Sequence, residues 1–134
     1  MTQDKRPGDA TALKGKTGLR RLMNAFLYSV KGLKAAFRHE AAFREETLLL
    51  VPVVLIAIFL PVSPIEKLLL VTSYLGVMLT ELLNSAVEAV VDRIGTEIHE
   101  LSGRAKDIAS AAVLMSMIVA GLTWAVIIGG WLFA

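Results

Sequence analysis

The carboxyl-terminal part of the chain is an uncharged, largely apolar run from Ile108 to Ala134, and this run limits the fold more than any other feature. As a helix with a rise of ~1.5 Å per residue, it is long enough to cross the ~30 Å hydrocarbon core of a bilayer. The whole sequence is 55% hydrophobic and only 19% charged, which is too apolar for an ordinary soluble domain of 134 residues. The sequence therefore predicts an all-α membrane protein.

Two further apolar segments precede this run, so three transmembrane helices are predicted, at about residues 41–62, 65–91 and 108–132. Pro61 and Pro64 separate the first two. The uncharged part of the second segment, Leu68 to Thr80, covers only ~20 Å as a helix. This span therefore has to include Glu81 and Glu88, which brings acids into the membrane.

The segment ahead of the first span has the pattern of an amphipathic helix. Large apolar residues from Leu19 to Phe37 recur at helical spacing with basic residues on the remaining faces, which predicts a surface helix at about residues 17–39. Anchoring to anionic lipid is the simplest role for such a helix. Residues 1–16 are predicted to be a mobile basic tail, and residues 17–134 a single membrane domain.

Basic residues are concentrated near the amino end, where ten of the fourteen Lys and Arg lie between Lys5 and Arg44. The positive-inside rule then predicts a cytoplasmic amino end and a carboxyl end on the opposite face, with only Lys67 outside. The same charge favours anionic lipid or nucleotide phosphates as partners, and no nucleic-acid partner is expected. The chain has no cysteine, which excludes disulfides and thiolate chemistry.

A stripe of polar residues follows one face of the second span. Glu81, Asn84, Glu88 and Asp92 are spaced so that they fall within an arc of about 80° on a helix. An ionised carboxylate at the bilayer centre costs ~2.5 to 3.5 kcal/mol on insertion scales, so three acids on one seam are expected to face protein, water or a bound cation. Any single acid of the stripe could instead pair with a basic residue of a neighbouring helix.

The cation alternative predicts a specific chemistry. Mg²⁺ prefers oxygen ligands and commonly binds one or two carboxylates together with substrate phosphates, a role that suits Glu88 and, at the start of the first span, Glu40. Glu81 lies deepest in the stripe and is placed to accept the proton of a lipid hydroxyl during phosphoryl transfer. The segment Asp92 to Asp107 is predicted to connect the second and third spans and to bring basic groups to the phosphates, namely Arg104 and Lys106, with Asp107 making polar contacts nearby.

Several of these residues also have simpler interpretations. His99 is more typical of a helix cap or a solvated turn than of a catalyst, and Glu97 and Glu100 could form a solvated face. Asn84 could join helices, and Ser110, Gly121 and Trp124 could serve packing. No Walker-type phosphate loop and no protein-kinase H-R-D signature occurs in the sequence.

The strings EAAFREE and ELLNSAVEAVVDRIGTEIHELSGRAKDIASAAVL closely resemble the prokaryotic diacylglycerol kinase family. The resemblance runs from about Arg21 to Trp124. It implies homotrimers of three-span protomers in the bacterial cytoplasmic membrane, with the carboxyl end periplasmic and with active sites shared between protomers. It also implies phosphorylation of diacylglycerol to phosphatidate with ATP as co-substrate and Mg²⁺ as cofactor.

By matching motif, the resemblance implies that Glu81 is the catalytic base and that Glu40 and Glu88 bind metal. Implied nucleotide contacts comprise both metal ligands and Arg21, Tyr28, Glu97, His99, Lys106 and Asp107. Implied lipid contacts comprise Arg21, Ser29, Ala42, Glu46, Glu81, Ser110 and Trp124, with supporting positions at Asn84, Asp92, Gly103 and Arg104. One departure is NAFL at residues 24–27, which is bulkier than the small residues expected before the Tyr-Ser pair.

Three other functions remain open from the sequence. An undecaprenol kinase would use the same chemistry on another lipid alcohol, although HELSGRAKD looks more like the diacylglycerol branch. A small membrane transporter predicts an acid at the bilayer midplane and internal repeats, whereas these acids cluster toward one interface and no repeat is evident. An accessory lipid anchor predicts that the acidic stripe can be neutralised without effect.

Overall fold

The computed structural model describes residues 18–95 and 97–133, and within these ranges the chain forms four α-helices and no strand. The helices are α1 (Leu19–His39), α2 (Ala41–Phe59), α3 (Pro64–Ile94) and α4 (Glu100–Leu132). The predicted all-helical class is confirmed, whereas the tail predicted at residues 1–16 lies outside the described residues. The chain divides into two compact units between Ala35 and Ala36.

Most of α1 belongs to the first unit. The helix follows Gly18, whose φ of +71° lies in the left-handed region that glycine adopts without steric cost. Large apolar side chains such as Leu22 and Phe26 are exposed along it, and the Lys31 ammonium lies 5.8 Å from the centroid of the Tyr28 ring. These exposed apolar side chains fit the predicted surface helix, whose contact with a membrane stays a prediction.

The second unit contains α2, α3 and α4, of which α3 and α4 are each long and apolar enough to cross a membrane. The amino-terminal turns of α2 carry Arg44, Glu45 and Glu46, so this helix has a shorter uncharged length. That α2 crosses the membrane therefore stays a prediction. It ends at Phe59, ahead of Pro61.

The long helix α3 begins with a capping box. The Ser63 hydroxyl accepts from the Glu66 backbone N–H at 3.3 Å, and the Glu66 carboxylate accepts from the Ser63 N–H at 2.8 Å, while Pro64 occupies the first turn, where no N–H is needed. The helix then continues without a break to Ile94. The whole acidic stripe therefore lies on one continuous helix.

The last helix begins earlier than the sequence predicts. α4 starts at Glu100, inside the segment Asp92 to Asp107, so part of this segment is helical; its role as the connection between two membrane spans stays a prediction. The physical reason is local: His99 Nδ1 accepts a hydrogen bond from the Leu101 N–H at 3.1 Å and caps the helix, and Glu100 pairs with Arg104 one turn later at 2.9 Å. These contacts extend the helix over the whole polar segment ELSGRAKD.

The three helices of the second unit are joined at the end away from the acids. Ala57, Leu70 and Ile127 form a buried cluster there, and the Trp124 indole N–H donates to the Leu70 carbonyl at 3.1 Å. At the α2–α3 turn, the Lys67 ammonium donates to a carbonyl near the end of α2 at 2.6 Å. Most other large apolar side chains of α2, α3 and α4 are exposed, as expected for helices that face lipid.

Candidate functional site

The site is built around the polar stripe of α3. Glu81 is one of its most enclosed members, with only 9% of its surface exposed. One turn further on, the Asn84 amide donates to Glu88 Oε1 at 3.2 Å and also lies beside Glu81. This amide therefore holds the Glu88 carboxylate and lies between it and Glu81 along the helix.

Two further carboxylates come from the start of α2. Glu40 and Glu46 both lie close enough to Glu81 for their charges to act on it. Glu40 is the single extended residue between α1 and α2, with φ −104° and ψ 114°, and its side chain makes no cap for α2. Arg44 instead donates to the Phe37 and Arg38 carbonyls at 3.2 and 3.3 Å, which satisfies the end of α1 and leaves the Glu40 carboxylate available to the site.

A lysine from α4 reaches the same stripe. The Lys106 ammonium forms an ion pair with Asp92 at 2.6 Å and is near enough to Glu88 to be attracted by its charge. Lys106 precedes the uncharged part of α4, and its hydrogen bond to Asp92 raises its pKa above the ordinary value. Arg104, in contrast, pairs with Glu100 on its own helix and is well exposed. The structure therefore brings Lys106 to the acids, and Arg104 lies outside this contact.

The oxygen atoms that this cluster offers as metal ligands fit a magnesium ion only in part. Within residues 18–95 and 97–133, no three His, Asp or Glu side chains lie close enough together to hold a metal ion by themselves. Two buried acceptor oxygens, Asn84 Oδ1 and Glu46 Oε2, have no hydrogen-bond partner in the same part of the chain. Mg²⁺ usually takes one or two carboxylates and completes its shell with water and phosphate oxygens, so the oxygen-rich set at Glu40 and Glu88 suits an ion that arrives with a nucleotide.

Two cavities lie along α3 and α4. The first, of about 530 Å³, is next to the ends of α3 and α4 and places two residues implied as nucleotide contacts, Glu97 and His99, on one wall. The second is an apolar groove of about 340 Å³ between α3 and α4, whose lining includes Asn84 and three alanines. Only the second cavity reaches the stripe, at Asn84, so an apolar chain could approach the carboxylates along this groove.

Other residues expected from the sequence lie elsewhere. Trp124 belongs to the buried cluster near Leu70, which is about 16 Å along α3 from Glu81, a position that indicates packing; its contact with lipid stays a prediction. Ala42, Ser110, Gly103 and Asp107 are exposed positions of the second unit. Arg21, Tyr28 and Ser29 are exposed on α1 in the first unit, and the Ser29 hydroxyl donates to a carbonyl of its own helix at 3.0 Å.

Two contacts near the stripe were not predicted from the sequence. The Tyr74 hydroxyl donates to the Glu46 carbonyl at 2.8 Å, and the hydroxyls of Thr80 and Ser116 are hydrogen-bonded at 2.7 Å between α3 and α4. The sequence does contain a signal for the Tyr74 contact, because Tyr74 precedes Glu81 by seven residues and so shares its helical face. The prediction that His99 acts as a cap is confirmed.

Comparison with known proteins gives one consistent family. The family model described as prokaryotic diacylglycerol kinase matches residues 27–128. A diacylglycerol kinase of Escherichia coli is 54% identical over 112 residues, which cover 84% of this chain and 92% of that protein. Diacylglycerol kinases of Haemophilus influenzae and Pseudomonas aeruginosa are 52% and 49% identical over 117 residues, or 87% of this chain and 96% and 95% of theirs.

Proposed function

Because the chain belongs to the prokaryotic diacylglycerol kinase family, we propose that it transfers the γ-phosphoryl group of ATP to diacylglycerol, with Glu81 as general base and with Glu40 and Glu88 as ligands of Mg²⁺. The products are phosphatidate and ADP. The reaction takes place where the polar ends of α3 and α4 meet the membrane surface.

The observation that carries this proposal is the convergence of carboxylates from two helices on Glu81. Glu40, just ahead of α2, and Glu46, within α2, lie near Glu81, and Glu88 lies two turns along α3, so that several negative charges act on one enclosed carboxylate. A structural ion pair would need a cation at this point, yet Lys106 is committed to Asp92 further along the stripe. The arrangement is better explained by a divalent ion and a hydroxyl that bind there during turnover.

Each side chain then has a defined part in the transfer. Glu81 accepts the proton of the lipid hydroxyl as the oxygen forms its bond to the γ-phosphorus and the bond from the γ-phosphorus to ADP breaks. Asn84 holds Glu88 through its 3.2 Å hydrogen bond. Lys106, beside Asp92 at the end of the stripe, contributes positive charge for the phosphates. A bound Mg²⁺ would neutralise phosphate charge.

The wider setting is also part of the proposal. We place the chain in the bacterial cytoplasmic membrane with three spans, its amino end cytoplasmic and its carboxyl end periplasmic, as a homotrimer with shared active sites. The exposed apolar surfaces of α3 and α4 and the excess of Lys and Arg ahead of α2 support a membrane location with this orientation. The mass of the purified protein in detergent is the direct check on the trimer.

The proposal predicts that purified protein in mixed micelles transfers label from γ-labelled ATP to diacylglycerol. Glu81→Gln keeps the size of the side chain and removes the base, so we expect the rate to fall by about 10²- to 10⁴-fold. Glu100→Gln is a matched control, because Glu100 is an exposed carboxylate whose partner is Arg104 on the same helix. Transfer to undecaprenol, measured in parallel, distinguishes the other lipid alcohol.

Label that enters neither lipid would reject the kinase proposal. Label that enters only undecaprenol would retain the chemistry and change the substrate. An unchanged rate in Glu81→Gln would remove Glu81 from the role of base.

A further inference from the structure

Tyr74 has no part in the chemistry described so far, although it faces the same site. It precedes Glu81 by seven residues on α3, so both side chains share one face of the helix at positions about 10.5 Å apart along its axis. Its hydroxyl is partly buried and donates a hydrogen bond of 2.8 Å to the backbone carbonyl of Glu46 on α2. The contact therefore crosses from the base-bearing helix to the helix that carries a second carboxylate of the site.

This hydrogen bond fixes one half of α2. The other polar tie from α3 to α2, the bond from Lys67 to the Ile58 carbonyl, lies at the opposite end of α2 beside the turn. Along the described length of the two helices, the Tyr74 contact is the side-chain hydrogen bond that joins them near the carboxylates. Loss of the Tyr74 hydroxyl would therefore remove the polar tie near the carboxylates and leave the one at the turn in place.

The residue held by this contact has an unused hydrogen-bonding atom. Glu46 Oε2 is buried and has no hydrogen-bond partner among the described residues, and the Glu46 carboxylate is close enough to Glu81 for the two charges to interact. A buried acceptor without a donor is costly, so a donor that enters with a ligand would bind favourably there. The hydroxyl of the lipid substrate is such a donor, and the proposed function brings it to Glu81.

We infer that Tyr74 is a positioning residue for the lipid alcohol: by holding the α2 backbone at Glu46, it keeps the Glu46 carboxylate beside Glu81 to receive the incoming hydroxyl. The alcohol first donates its hydrogen bond to Glu46, and Glu81 then accepts the proton as the phosphoryl group is transferred. This role rests on the proposed function and concerns the lipid, since the Tyr74 contact is remote from the cavity at Glu97 and His99.

The test is the variant Tyr74→Phe, which removes one hydroxyl and retains the ring. We expect the KM for diacylglycerol to rise about three- to tenfold, the effect of one hydrogen bond, while the KM for MgATP stays unchanged. In a Glu46→Gln background the same substitution should add little, because the group that Tyr74 positions is already altered. Ser116→Ala is the matched control, since it removes an interhelical hydroxyl contact of 2.7 Å to Thr80 that does not involve α2.

Four results would overturn the inference. One is a lowered melting temperature of Tyr74→Phe with both KM values unchanged, which would show that the contact only stabilises the fold. Another is an equal effect of Tyr74→Phe with and without Glu46→Gln. The third is wild-type protein that labels no lipid, which would overturn the proposed function and the positioning role with it. The fourth is active wild-type protein together with a Tyr74→Phe variant whose kinetics are normal, which would overturn the positioning role alone.

Discussion

At the scale of single residues, Asn84 shows how a side chain with few atoms organises a crowded acidic site. Its amide nitrogen donates to Glu88, and its buried Oδ1 has no hydrogen-bond partner within the described ranges. Asn84 thus fixes one oxygen of Glu88 and leaves the other available to a cation. An aspartate at this position would lose the donor and add another negative charge to the stripe.

Glu88→Gln tests the role of this second oxygen. The substitution retains an oxygen that accepts from Asn84 but removes the charge that attracts Mg²⁺, so we expect the Mg²⁺ concentration for half-maximal rate to rise at least about tenfold. Initial rates over a Mg²⁺ titration at fixed ATP provide the measurement, with Glu100→Gln as the control. An unchanged Mg²⁺ dependence would count against Glu88 as a ligand.

Sequence reasoning located the acids of this site better than their neighbours. Glu81, Asn84 and Glu88 followed from helical spacing alone, because one continuous helix carries all three. Contacts between helices did not follow, since the carbonyl that the Tyr74 hydroxyl meets depends on the register of α2 against α3. The sequence of neither helix specifies that register by itself.

At the scale of elements, the ends of the helices decide how the polar groups are presented. Apolar runs predicted long helices in this part of the chain, but they could not predict that α4 begins at Glu100, because that start depends on the His99 cap and on the pairing of Glu100 with Arg104. As a consequence, Lys106 projects from a regular helix toward Asp92. A regular helix holds such a cation more firmly than a loop would.

The capping box of α3 gives a prediction about stability at this scale. Ser63→Ala removes the hydroxyl that accepts from the Glu66 N–H, so we expect a loss of about 0.5–2 kcal/mol and a lower melting temperature in micelles, with unchanged KM values. Thr72→Ala on the same helix is the control, since the Thr72 hydroxyl donates only to carbonyls of its own helix. Equal melting temperatures for wild type and Ser63→Ala would contradict the prediction.

At the scale of the whole molecule, the main question is how the chain is threaded through the bilayer. α3 and α4 have the length and apolarity of membrane spans, whereas α2 carries three charged residues in its first two turns and the site groups cluster near them. In the proposed topology these charges remain at the cytoplasmic interface. The apolar remainder of α2 then crosses to the turn at Pro61.

The absence of native cysteine makes this topology directly testable. Introduced at Phe133, an exposed position just after the end of α4, a cysteine should react with a membrane-impermeant maleimide in intact cells. Introduced at exposed Glu100, it should react only after the cells are opened. Labelling of both positions in intact cells, or of neither, would contradict the proposed orientation.

The bond from Lys67 to the Ile58 carbonyl has a consequence for biosynthesis. If α2 and α3 insert together as a hairpin in the proposed orientation, Lys67 is the single basic side chain that has to be translocated. Its ammonium already has a carbonyl partner within the hairpin, at 2.6 Å, which replaces part of the water it gives up on the way. In this topology, the Ile58 carbonyl thus replaces part of the hydration of the Lys67 ammonium during insertion.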